Sequence, residues 1–172
     1  MITADYCRAM ARYNQWQNTG LRRAMRELPR AAVEEDRGAF FGSIFGTANH
    51  ILWGDTIWMS RFDGWQKPPH GIPESPRFVP DLAMWDAARA EADAAIISWS
   101  NGLDDGRIEG DLSWYSGAAG RDVTKPLAFC IAHFFNHQTH HRGQIHAMLT
   151  DAGWKPGDTD LFLMPDEAMG AR

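Results

Sequence analysis

The sequence predicts an all-α protein built on four long helices. Apolar residues recur at steps of three and four in four separate segments. Strand-like alternation is confined to one short stretch, and a proline-rich linker divides the second helical segment from the third. With 172 residues and 44% hydrophobic content, the chain suits one globular domain, residues 1–172, with a sizeable core.

The first helix is expected from about Ala4 to Leu28, where Tyr6, Met10, Tyr13, Gln17, Leu21, Ala24 and Leu28 alternate steps of four and three. Pro29 stops it. Arg8, Arg12, Arg22, Arg23, Arg26 and Arg30 spread around this helix and read as a solvated face. Asn14, Trp16 and Asn18 interrupt the stripe, and packing against a neighbour is the plain explanation. A second helix, about Gly38 to Phe62, carries Phe40, Phe41, Ile44, Ala48, Ile51, Leu52, Trp58, Met59 and Phe62 on a broad apolar arc. His50 sits off the centre of that arc, with Gly46 and Gly54 one turn to either side. Such small residues admit either a close neighbouring helix or a ligand cavity beside the imidazole. Asp55 is either an acceptor behind a metal ligand or an ordinary charged helix residue.

From Gly64 to Pro80 the chain holds five of its nine prolines, which excludes a regular helix and predicts a long extended crossover. Such a connection lets the third helix run parallel to the second. His70, within it, is expected to be solvated. The third helix starts at about Asp81, a good N-cap type, and runs to Trp99 with Leu82, Trp85, Ala92, Ile96 and Trp99 on one face. Ile108 to Thr124 reads as a short hairpin, with Leu112 and Trp114 on one arm, Val123 on the other and SGAAG as the turn. Pro126 falls in the first turn of the fourth helix, where its missing amide proton costs nothing, and that helix extends to Asp151. In the tail, the short apolar run from Leu161 to Met164 is expected to lie over one end of the helices.

Composition narrows the function. A net charge of -5, a pI near 5.7 and 17 scattered Lys and Arg residues leave no basic footprint for a phosphate backbone, so nucleic acid is not expected as a partner. The start lacks the basic, apolar and small-residue pattern of a signal peptide, and no apolar run reaches membrane-spanning length, so a cytoplasmic protein without a membrane partner is expected. Cys7 and Cys130 are too few for a disulfide framework or a thiolate zinc site and read as buried free thiols. Eight tryptophans imply an aromatic core and an aromatic-walled pocket.

The fourth helix holds five of the seven histidines. On a helical wheel, Leu127, Cys130, Ile131, Phe134, Ile145, Met148 and Leu149 form one apolar stripe. His141 lies about 30° from its centre and His137 about 70°, whereas His133, His140 and His146 lie beyond about 100°. Residues four apart rise about 6 Å, a separation two imidazoles can close on one ion. The candidate pairs are His133/His137, His137/His140 and His137/His141, and the wheel favours the last. His50 is a candidate for a third nitrogen. A lone inward histidine would more simply be neutral, with one nitrogen hydrogen-bonded. No Glu stands three residues before any histidine and no HExxH occurs, which sets aside a di-iron oxidase and a zinc protease of that type.

The order of these elements, the run His137 to Gln144 (HxxxHRGQ), and the segments Tyr13-Asn14-Gln15-Trp16 and His50-Ile-Leu-Trp53 resemble the DinB/YfiT-like superfamily over essentially the whole chain. The resemblance implies an up-down-down-up four-helix bundle with a small hairpin before the last helix, commonly a homodimer. It also implies a divalent ion held by His50, His137 and His141, with His133 lining the site. Three imidazoles leave a coordination position open, and an all-nitrogen set suits zinc or nickel. The expected activity is a metal-dependent transferase acting on a small-molecule substrate with a low-molecular-weight thiol cofactor. A hydrolase using bound hydroxide is the alternative, and a non-catalytic, metal-stabilised stress-response binding protein is a third reading. No catalytic residue beyond the ligands is assigned. Gln144 is expected to orient a ligand or substrate, and Arg142 to pair with an acid on another helix.

Overall fold

Three of the four long helices begin where a short polar side chain can satisfy the first free amide groups. Helix α1 (Ala4–Glu27) starts behind Thr3, whose hydroxyl accepts from the Tyr6 amide. A short α2 (Arg30–Glu34) follows Pro29. Ser43 caps α3 (Ile44–Phe62), and Asp81 caps α4 (Leu82–Asn101) by accepting from the Met84 amide. Strands β1 (Asp111–Ser116) and β2 (Arg121–Pro126) pair antiparallel with Trp114 opposite Val123. Helix α5 (Leu127–Asp151) leaves β2 directly, and a short α6 (Asp166–Met169) follows in the tail. This computed structural model describes residues 1–170; it is mostly helical, with one two-stranded hairpin.

Several expectations need correction, among them Pro126, which ends β2 and stands at the N-cap of α5 rather than in its first turn. The second long helix begins at Ile44 rather than Gly38, because Gly38 and Gly42 adopt φ of 71° and 76°, outside the helical region. Phe40 is therefore 82% exposed instead of lying on an apolar arc, and Phe41 belongs to the approach to the helix. The proline-rich connection is not extended throughout, since Ile72–Arg77 forms a 3₁₀ turn that packs on α3. The tail's apolar run forms a turn over Leu161–Leu163 with its side chains largely exposed, and only Met164 is buried.

Packing follows from pairs of contacts. Asn18 meets Asp93 and Arg22 meets Asp86, so α1 and α4 run in opposite directions. Trp85 donates to the Ala48 carbonyl (3.1 Å) and Phe62 stacks on Trp99 with centroids 5.7 Å apart, so α3 and α4 run the same way, as a long connection allows. His50 faces His141, and Phe62 faces Phe134, so α5 runs against α3. Among the described residues, no helix is long and apolar enough to cross a membrane.

The buried apolar residues form two clusters, one around Met25, Ile51, Trp85 and Leu149, the other around Met59, Ile96, Phe134 and Phe135. Between them runs a buried polar network that touches all four long helices. Asn14 bonds Gln138, whose amide donates to Asp55 (2.7 Å). Arg89 joins Asp55 (2.5 Å) and Asp93 (2.9 Å), and Asn18 closes the chain on Asp93 (2.8 Å). Asp55 is thus a buried structural acid. Arg142 does not pair with an acid: among the described residues no carboxylate lies within 4 Å of it, and its guanidinium lies over the Tyr13 ring, 5.4 Å from the centroid. Burial lowers its pKa to about 10, against the pull of Asp55 and Asp93, which leaves it cationic at neutral pH.

Removing one partner of a buried ion pair strands the others without solvent. Arg89→Ala is expected to destabilise the protein by about 3–5 kcal/mol, whereas Glu34→Ala, which breaks an exposed pair with Arg30, should cost within about 0.5 kcal/mol. Urea unfolding of the three proteins measures the difference.

Candidate metal centre

The site forms between α3 and α5. A Cβ built on Gly54 would stand 2.8 Å from Cε1 of His137, inside any normal contact, so glycine at this position lets the imidazole lie against the α3 backbone. His50, one turn earlier on α3, and His141, one turn later on α5, complete the group. The ring centroids are 5.0 Å apart for His50 and His137, 4.6 Å for His50 and His141, and 4.5 Å for His137 and His141. One nitrogen from each ring lies within 4.8 Å of the others, a group that can hold a metal ion. The Nε2 atoms of His50 and His137 are 3.1 Å apart. Two imidazole nitrogens sharing one ion at roughly 2.0–2.1 Å, at an angle near the tetrahedral or octahedral value, would stand about 2.9–3.4 Å from each other.

Hydrogen bonds set which nitrogens carry lone pairs. The Ser75 hydroxyl donates to the Ile72 carbonyl (2.7 Å), so its oxygen accepts from Nδ1–H of His50 (2.8 Å). That leaves Nε2 of His50 unprotonated and aimed at His137. His141 likewise donates Nδ1–H to Oε1 of Gln144 (2.7 Å), which frees its own Nε2. Burial keeps the rings neutral: desolvation, with a contribution from the neighbouring imidazoles, lowers His50 and His137 to about 3. Burial also lowers His141. No carboxylate belongs to the group, so the donor set is neutral and all-nitrogen.

Aromatic rings wall the site. Phe41 stacks on His50 at 3.7 Å and 20°, and its centroid is 5.4 Å from that of His141. Trp53 flanks His50 at 5.9 Å and donates to the His70 carbonyl (3.0 Å). His133 lies outside the group of three, 5.8 Å from His137 and against Trp58. His140 is exposed beside His141, and His70 is exposed as expected. His146 borders a separate cavity of about 440 Å³ between α1, the end of α5 and the tail, which none of the three grouped histidines lines. Both cysteines are free and buried, and burial pushes the Cys7 thiol up to about 11.

The expected trio of His50, His137 and His141 is therefore brought together. Gln144 was expected to orient a ligand or substrate, and it hydrogen-bonds Nδ1 of His141, one of the three candidate ligands. Ser75 and Phe41 went unrecognised in the sequence. Nothing local marks them, since Ser75 sits in a proline-rich linker and Phe41 in what read as an apolar arc.

The DinB family's sequence model matches residues 1–170. The chain is also similar to protein DinB of Bacillus subtilis (strain 168), with 24% identity over 174 residues, covering 93% of this chain and 94% of that relative.

The lowered histidines give the metal-free protein a signed pH dependence. An unfolded histidine binds its proton below about 6.5, whereas His50 and His137 stay neutral in the fold down to about 3. In that window the unfolded state holds more protons, so their contribution to stability is complete above pH 6.5 and is lost as pH falls toward 3. Urea midpoints of metal-free protein should fall more steeply across this range than those of a His50→Gln/His137→Gln variant; equal slopes would contradict neutral burial of the pair.

Proposed function

The chain belongs to the DinB family, and from that premise we propose that it holds one divalent ion on His50, His137 and His141 and works as a metal-dependent transferase with a low-molecular-weight thiol. The observation that carries this reading is the convergence of three imidazoles, two of them with Nε2 freed by hydrogen bonds on the opposite nitrogen. Structural zinc sites close with four protein donors, whereas catalytic ones use three and keep a position open. Among the described residues the group has three members, with His133 standing apart. An all-nitrogen set favours zinc or nickel.

A bound divalent ion would supply Lewis acidity, lowering the pKa of a thiol or water so that a nucleophile is present near neutral pH. The chain's own residues do the rest. Ser75 and Gln144 hold His50 and His141 in the ligating tautomer, Gly54 admits His137, and Phe41 and Trp53 keep bulk water from the buried side of His50. The thiol part of the proposal rests on the family resemblance. The same reading takes the four long helices as an up-down-down-up bundle, which the relative directions of α1, α3, α4 and α5 support.

Metal-replete protein should consume a thiol such as bacillithiol, mycothiol or glutathione together with an electrophile. His137→Ala or chelation should reduce the rate by at least about 100-fold. Undiminished activity after chelation contradicts the proposal, and metal-dependent release of acid from esters or amides without any thiol would make the protein a hydrolase instead.

A further inference from the structure

The cavity that His146 borders is roofed by a stretch of tail that specific bonds hold over α1. At the end of α5 the Gly153 amide donates to the Thr150 carbonyl (3.0 Å) and the Trp154 amide to that of Leu149 (2.9 Å). Gly153 has φ of 78°, so this left-handed cap turns the chain back along α1. The Gln17 side chain then donates to the Asp158 carbonyl (2.9 Å) and the Tyr13 hydroxyl to that of Thr159 (2.6 Å), which fixes the returning segment. Between the helix cap and these two bonds, about 440 Å³ remains open under Pro156 and Gly157. That volume falls in the range of small-molecule sites, roughly 300–1,000 Å³.

Packing does not account for two of the residues that line it. Gly20 lies inside α1, where glycine is less favourable than alanine, yet a Cβ built there would meet no atom within 4 Å among the described residues. Gly157, in the tail, is equally open and has no positive φ that would call for glycine. Trp16, Leu21, Leu149, Trp154 and Leu163 make the walls apolar and partly aromatic. Arg23 and Asp158 contribute one charge of each sign, and Arg23 already stands 3.8 Å from Glu27. An ion of either sign would therefore gain one partner and meet one like charge. His146 adds no charge at neutral pH, because burial, with Arg142 nearby, lowers its pKa. Its ring makes no hydrogen bond among the described residues, the Thr150 hydroxyl reaching only its backbone carbonyl (3.0 Å).

We infer that this cavity is a second binding site, which takes an uncharged, planar aromatic molecule whose hydroxyl or amide group bonds the His146 ring. Its volume equals that of about fifteen waters, enough for a molecule of two fused rings. Glycine at 20 and 157 leaves the space that the rings occupy, and a neutral imidazole can either donate or accept the one polar contact. None of His50, His137 and His141 lines the cavity, so the site is independent of the ion and of the thiol chemistry proposed above.

The probes are 2-naphthol and 2-naphthoate, titrated into the full chain, with calorimetry for affinity and the amide resonances of Gly20 and Gly157 for location. 2-Naphthol is expected to bind with Kd below about 1 mM and to shift both amides, and 2-naphthoate to bind at least about tenfold more weakly. Gly20→Leu should weaken 2-naphthol at least about tenfold while raising the melting temperature, since leucine favours the helix and fills the cavity; Gly157→Leu should block binding from the opposite wall. His146→Leu should weaken it about three- to tenfold through the lost hydrogen bond. No binding of 2-naphthol at about 1 mM, or binding that survives both glycine variants, overturns the site. A lower melting temperature in Gly20→Ala does so too, because it would show that packing requires the glycine. Equal affinity for 2-naphthoate overturns the assignment of an uncharged ligand, and an unchanged affinity in His146→Leu overturns the role given to that ring.

Discussion

Three imidazoles must share one small volume without an anion to offset them, and the surrounding structure is arranged to satisfy that constraint. A charged histidine there would face two others across 4.5–5.0 Å between ring centroids, with no carboxylate in the group. Burial resolves the conflict by holding the rings neutral, which is also the state in which a nitrogen can donate to a cation. Each neighbour then has a definite task. Glycine at 54 leaves room for His137 to approach α3, Ser75 and Gln144 accept hydrogen bonds from the Nδ1–H groups of His50 and His141, and Phe41 covers the face of His50.

The same two helices are held in register by a different interaction on the other side. Asp55 follows Gly54 and Gln138 follows His137, and the bond between Asp55 and Gln138 ties the positions that bring Gly54 and His137 together. Arg89 and Asp93 extend that tie to α4, while Asn14 and Asn18 extend it to α1. An apolar interface tolerates sliding by small repacking, whereas a buried polar chain is satisfied in one arrangement only. The network lies between the two apolar clusters, so a shift of α5 along α3 would break it before the histidines could move far apart. Fold and site are coupled through this one pair of adjacent positions.

Much of this could be read from the chain. The helical stripes, the hairpin turn at SGAAG and the inward pair His137 and His141 follow from local periodicity, which needs no partner to be visible. His50 was visible as a candidate because of the glycines beside it, though what filled the space was not. The rest depends on tertiary geometry. Gly38 and Gly42 break the second helix through positive φ, which left Phe41 free to stack on His50. Ser75 reaches His50 only because prolines fold the linker into a 3₁₀ turn against α3. Arg142 lies over the Tyr13 ring without a carboxylate in contact, and Asp55 and Asp93 act on its charge only from a distance; pairing rules written for contacts do not reveal that.

The proposed function depends on one ion shared by the three rings. X-ray absorption of protein purified without added chelator, with total metal content measured on the same sample, tests it directly. One zinc or nickel per chain with about three imidazole nitrogens at roughly 2.0–2.1 Å, and a non-imidazole donor completing the shell, is the expected result. A chain that carries no divalent ion after exposure to zinc and nickel, or one whose bound ion has a shell without imidazole, would contradict it.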